Sequence, residues 1–195
     1  IISGLSNDPK PTTSKTWTWV CNEEPCIYKF QVLPIPNQDP DPNQSGKNYQ
    51  TKNIKTFDDF SGVYYLQIRA MDRAGNISSL YEVSALLDRD KPIIEGLSND
   101  TSPRKIKTWN WHCNSGESCK FYYLIDQSPN TVLSPKDSDF SSTQTTSQNS
   151  GDGLYYLHVV AKDEAGNFSE VVHVSAILDN TAPILLGLTD DPITK

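Results

Sequence analysis

The stretch that decides the fold runs from Gly62 to Pro92, GVYYLQIRAMDRAGNISSLYEVSALLDRDKP, and returns from Gly153 to Pro183 as GLYYLHVVAKDEAGNFSEVVHVSAILDNTAP. Tyr64 maps to Tyr155 and Asp72 to Asp163, 91 residues apart in each case. Each copy holds an apolar/polar alternation, a tight Ala-Gly-Asn turn, a second alternating run, and an acidic segment that ends at a proline. That pattern predicts a β-hairpin followed by a linker.

Working outward, each copy opens on a short apolar strand, Ile1 to Leu5 or Ile93 to Leu97, followed by a polar turn. Next come Lys15-Thr16-Trp17-Thr18-Trp19-Val20-Cys21 and Lys107-Thr108-Trp109-Asn110-Trp111-His112-Cys113. Side chains alternate faces along a strand, so Trp17, Trp19 and Cys21 share one face. The following strand puts Cys26, Tyr28, Phe30 and Val32 on one face, against Cys119, Phe121, Tyr123 and Ile125 in the second copy. Its other face changes chemistry between copies, so the face that keeps it is the core. The middles, Pro34 to Ser61 and Gln127 to Asp152, are rich in Pro, Asn, Gln, Ser and Asp, and are expected to hold short edge strands and long loops. The hairpin strand then turns Tyr64, Leu66, Ile68 and Ala70 inward, matched by Tyr155, Leu157, Val159 and Ala161.

With 195 residues and this period, the chain is read as all-β, with two small sandwich domains over 1–90 and 91–181. Residues 182–195 read as the start of a third repeat, because Leu186-Gly187-Leu188-Thr189-Asp190-Asp191-Pro192 resembles the opening of the earlier copies. The net charge of −7 argues against nucleic acid, which calls for clustered Lys and Arg, and leaves cations as ligands. No apolar run approaches the ~18 residues of a membrane span, so direct membrane insertion of this stretch is not expected.

Tyr64-x-Leu66-x-Ile68-x-Ala70-x-Asp72-x-Ala74-Gly75-Asn76-x-Ser78 and its counterpart from Tyr155 to Ser169 resemble the F strand and F–G turn of bacterial fibronectin type III-like and immunoglobulin-like repeats. Trp19 and Trp111 resemble the B-strand tryptophan of these families, Tyr28-x-Phe30 the C-strand aromatics, and Tyr64 and Tyr155 stand where a tyrosine corner would be. Leu178-Asp179-Asn180-Thr181-Ala182-Pro183 resembles the linker of tandem repeats in large bacterial surface proteins and adhesins. The resemblance implies two tandem Ig-like sandwiches and an extracellular, non-enzymatic stalk or binding module. Its partners would be neighbouring repeats and a cell-surface glycan or protein. The alternative is an accessory spacer or carbohydrate-binding region of a secreted multidomain enzyme, because this fold carries many unrelated activities.

Four cysteines fall as close pairs, Cys21 with Cys26 and Cys113 with Cys119. A soft metal site needs four ligands together, whereas a disulfide across each short loop needs two, which makes disulfides the plainer reading and an oxidising compartment its consequence. Asp72 and Asp163 precede the Ala-Gly-Asn turn, where a carboxylate caps backbone N–H groups. The sharper alternative is calcium between domains, with Asp8, Asp88, Asp90 and Asp163 as candidate ligands for a hard cation that takes about six to eight oxygens. Arg89 and Lys91, interleaved with Asp88 and Asp90, are the competing way to neutralise them. His112, His158 and His173 align with Val20, Gln67 and Glu82, so no histidine belongs to the shared design, and an outward strand histidine is expected to be solvated. No nucleophile or paired-carboxylate motif stands out, so no enzymatic activity is expected.

Overall fold

The computed structural model describes residues 2–23, 25–114 and 118–187. The part of the expected third repeat from residue 188 onward lies outside the described residues. Every regular element of the described chain is a strand except one 3-10 turn, Asp137–Asp139. The chain divides into two compact units, Ile1–Pro92 with Lys162–Phe168, and Ile93–Ala161 with Ser169–Lys195.

In the first copy the strands are β1 (Ile2–Ser3), β2 (Asp8–Thr12), β3 (Lys15–Thr18), β4 (Val20–Cys21), β5 (Ile27–Leu33), β6 (Ile54–Phe57), β7 (Gly62–Met71) and β8 (Tyr81–Leu87). They form a four-stranded sheet in the order β2-β8-β7-β5, together with the pairs β1-β4 and β3-β6. Tryptophans fill the space between these layers. Trp17 and Trp19 are buried with Tyr28, Leu66, Ile68, Val83 and Ala85, and Phe30, Val32 and Phe57 pack on the margin. The expected period-2 faces are therefore the observed ones: Thr16, Thr18 and Val20 are exposed while Trp17, Trp19 and Cys21 are buried. Trp19 meets Tyr28 and Phe30 edge-on, with ring centroids 5.9 and 4.9 Å apart, a favoured geometry for aromatic quadrupoles.

The second copy repeats this plan with β9 (Ile94–Glu95), β10 (Asp100–Arg104), β11 (Lys107–Asn110), β12 (His112–Cys113), β13 (Lys120–Asp126), β14 (Thr145–Gln148), β15 (Gly153–Lys162) and β16 (Val172–Leu178). Its sheets are β10-β16-β15-β13, β11-β14 and β12-β9. Trp109, Trp111, Phe121, Leu157, Val159, Val174 and Ala176 form the core.

The opening of each copy differs from expectation. A polar turn is expected after the first apolar strand, but a second strand forms there and runs parallel to the last strand, β2 with β8 and β10 with β16. The chain thus leaves one sheet and joins the other. Gly4 and Gly96 make the crossing, with φ of 87° and 89°. A Cβ on Gly96 would stand 3.1 Å from the Asn110 carbonyl oxygen, so only glycine passes so close to the neighbouring strand. Asparagines fix the new strand. Asn7 Oδ1 accepts the Ser84 backbone N–H at 2.9 Å, and Asn99 Oδ1 accepts that of Ser175 at 2.9 Å.

Candidate functional site

The outer face of each four-stranded sheet is not open. In the first copy the segment between β5 and β6 lies across it and is held by side chains of the sheet. Arg69 grips Asp39 with a two-pronged ion pair, Nε to Oδ1 at 2.8 Å and Nη2 to Oδ2 at 2.6 Å. Lys29 Nζ reaches Asp41 Oδ1 at 3.3 Å. Gln31 Nε2 donates to the Gln38 carbonyl at 3.0 Å, and the Asn37 N–H donates to Glu82 Oε2 at 2.6 Å. At the centre Gln67, with 0% of its surface exposed, donates Nε2 to the Ile35 carbonyl (2.8 Å) and Glu82 Oε2 (2.9 Å). Its Oε1 accepts from Gln31 Nε2 at 3.0 Å, which leaves neither end of this buried amide without a partner.

Asp41 is the second buried anchor, with 2% exposure. It accepts Ser45 Oγ at 2.8 Å, the Gly46 N–H at 3.1 Å and Tyr49 Oη at 3.2 Å. Burial pushes its carboxyl up, but the Ser45, Gly46 and Lys29 bonds prevail and hold it well below the usual carboxylate range. Burial, reinforced by the Asp41 charge, pushes the Tyr49 phenol up to about 12. The Arg69 guanidinium holds the Asp39 carboxyl below its ordinary value. These residues are missed by a reading of strand alternation, which turns Gln67 and Arg69 outward. The legible signal is Lys29 and Arg69 on the outward face combined with the acidic, proline-bounded run Asp39-Pro40-Asp41.

The second copy covers the same face with other chemistry. Val160 stands where the first copy has Arg69, and it is buried. Phe140 is buried as well, its ring centroid 6.4 Å from that of Tyr122, which takes the place of Lys29. At the positions of Gln67 and Glu82 stand His158 and His173, in cross-strand register. His158 is fully buried, which corrects the expectation of a solvated histidine. Asp126 lies beside it and is tied down by Thr131 Oγ1 at 2.6 Å and the Ser128 N–H at 2.8 Å. The Thr131 bond leads in holding the Asp126 carboxyl below its ordinary value, against burial and with help from Ser128 and His158.

The cysteine pairs Cys21–Cys26 and Cys113–Cys119 are disulfide-bonded, with Cα atoms 6.2 and 6.3 Å apart. The aspartates of the hairpin turn cap it. Asp72 Oδ1 accepts the Asn76 N–H and Oδ2 its side-chain amide, each at 2.8 Å. Asp163 Oδ1 accepts the N–H groups of Gly166 and Asn167 at 2.7 and 2.8 Å, and Oδ2 the Asn167 amide at 2.9 Å. The turn thereby occupies both asparagines of the Asn-x-Ser triplets. Of the other calcium candidates, Asp8 forms an ion pair with Lys15 at 2.7 Å, as Asp100 does with Lys107 at 3.0 Å. Asp88 Oδ1 accepts the Asp90 N–H at 3.1 Å. The Arg89 guanidinium donates to the Asp58 carbonyl. Among the described residues no group of three or more His, Cys, Asp or Glu side chains forms a ligand cage for a metal ion, and no helix is long and apolar enough to cross a membrane.

No family model matches the chain, and no curated protein matches it in sequence. Among solved structures it is similar to the fibronectin(III)-like modules of Clostridium thermocellum CbhA, at 12% identity over 91% of this chain and 94% of that one, with a TM-score of 0.41. It is similar to the FN1-FN3 domains of chicken CNTN1, at 14% identity over 87% and 62% of the two chains and a TM-score of 0.36. It is also similar to the D00-D0 domain of Intimin, at 12% identity over 92% and 100% and a TM-score of 0.36. Similarity at this level carries no functional argument. The chain's own strand pairing, in each copy a four-stranded sheet and two-stranded pairs around a tryptophan core, makes it an all-β protein.

Proposed function

We propose that the chain is a non-catalytic extracellular module, part of the stalk or binding array of a bacterial surface adhesin. One observation carries this reading. The two copies repeat their cores and their disulfides, while the outer face of the four-stranded sheet changes from an ion-pair lattice to apolar and imidazole groups. A duplicated active site or shared ligand site would keep its polar constellation and let packing drift. Here packing stays and the polar constellation changes, as expected of a scaffold multiplied for reach and presentation. Two disulfides in a chain of this size suit an oxidising compartment.

The test is surface labelling of the producing cells with a membrane-impermeant amine reagent, followed by thiol alkylation of the recovered protein with and without reductant. The expected result is a labelled protein whose four cysteines alkylate only after reduction. Unlabelled protein recovered with free thiols overturns the proposal. A labelled chain that carries an adjoining hydrolase domain moves it to the accessory role in a secreted enzyme.

A further inference from the structure

Two of the three histidines meet in the second copy, and the role proposed above uses neither. His158 on β15 and His173 on β16 are directly paired across the sheet. Their Nδ1 atoms lie 2.5 Å apart, with the rings inclined at 72°. His158 is buried, whereas His173 is exposed. On the far side of His158, Nε2 lies 3.1 Å from Asp126 Oδ1. A carboxylate can only accept, so Nε2 carries the proton and the lone pair of neutral His158 sits on Nδ1, aimed at His173. Tyr156 lies near-parallel to the His158 ring, at 16° with centroids 6.3 Å apart.

We propose that His158 Nδ1 and His173 Nδ1 bind one divalent transition-metal ion of the zinc or copper class, with Asp126 as the positioning carboxylate behind His158. A carboxylate that fixes the tautomer and ring orientation of a histidine is the usual support of a histidine ligand. Paired neutral imidazoles favour zinc and copper over calcium or magnesium, which prefer oxygen. Metal–nitrogen bonds of about 2.0–2.1 Å place two tetrahedral ligands about 3.3 Å apart. The pair therefore opens by less than about 1 Å on loading, a change that the exposed His173 ring accommodates by rotating about its own bonds. His173 is exposed, so water can complete the coordination from its side. In the first copy the same positions hold Gln67 and Glu82, so the site belongs to the second copy alone.

The competing account is a single proton shared between the two Nδ1 atoms, and titration separates the two. The chain with His112→Gln is titrated with zinc chloride, and separately with copper chloride, in a non-chelating buffer. This substitution removes the only other histidine, which lies 3.4 Å from Glu95. The expected result is one equivalent bound per chain, with the imidazole NMR resonances of His158 and His173 shifting together. The double variant His158→Gln/His173→Glu recreates the pair with which the first copy folds. It should keep its thermal transition and lose the bound equivalent. Asp126→Asn should weaken the affinity by about tenfold or more. Unshifted imidazole resonances at millimolar metal, or undiminished uptake by the folded double variant, overturns the proposal. The first result leaves a shared proton, and the second places the ion on surface carboxylates.

Discussion

Replacing Gln67 by Leu tests whether the buried amide holds the segment between β5 and β6 in place. The substitution keeps the approximate volume and removes three hydrogen bonds, to Gln31, Ile35 and Glu82. Two of these partners keep another bond: Gln31 Nε2 with the Gln38 carbonyl, and Glu82 Oε2 with the Asn37 N–H. The Ile35 carbonyl loses this one. A net neutral hydrogen bond contributes about 1 kcal/mol and one to a charged acceptor about 1.5–3 kcal/mol, so the Ile35 and Glu82 bonds dominate and the expected loss is about 2.5–4 kcal/mol. Urea unfolding followed by tryptophan fluorescence measures the loss. Amide exchange at Asn37 reports whether the covering segment opens with it. A loss below about 0.5 kcal/mol with Asn37 still protected would show that Arg69–Asp39 and Lys29–Asp41 hold the segment without the amide, and would refute the central role given to Gln67.

Removing either disulfide as a Cys→Ala pair should cost about 2 kcal/mol, because the bridged cysteines are only 5 and 6 residues apart and loop entropy grows slowly with length; urea midpoints of the Cys21→Ala/Cys26→Ala and Cys113→Ala/Cys119→Ala proteins check this, and the two losses should match closely. The Asp39 carboxyl is depressed in the folded state, so its contribution is complete above the unfolded value near 3.8 and fades as pH falls through the lower folded value. Arg69→Met should therefore flatten the stability–pH curve below about pH 4, seen by thermal melts across an acid series. If Asp163 belongs to a calcium site, millimolar calcium should raise Tm relative to chelator and Asp163→Asn should abolish the rise; identical melting curves remove calcium from the account.

The core was legible because two copies of one alternation check each other: Trp17, Trp19 and Tyr28 recur as Trp109, Trp111 and Phe121, and all six are buried. The sheet-switching strand was not legible, because Asp8-Pro9-Lys10-Pro11-Thr12 carries no apolar alternation and only one β-former, Thr12, and is a strand through its pairing with β8 and the Asn7 side-chain bond beside it. The burial of Gln67 and His158 was equally hidden. Alternation says which face a side chain takes, and it cannot say that a polar loop 32 residues away along the chain will lie on top of that face. The disulfides were readable from spacing, since two cysteines at the ends of a short loop have few other partners.

The openings bear on how two such copies coexist in one chain. Neighbouring β-sandwiches of similar core sequence sit at very high mutual concentration, and an unpaired strand margin in one is a template for the next. The switched strand places Pro9 and Pro11 along one margin of the first copy's sheet, and Pro103 along that of the second, where no N–H is offered to a newcomer. The opposite margin is sealed by the chain itself: Tyr28 and Gln50 exchange backbone hydrogen bonds at 2.7 and 2.8 Å, as Phe121 and Ser141 do at 2.7 and 2.9 Å. Both devices oppose edge-to-edge pairing between copies, so replacing Pro9 and Pro11 by threonine should leave the native fold intact and lower the yield of monomer on refolding.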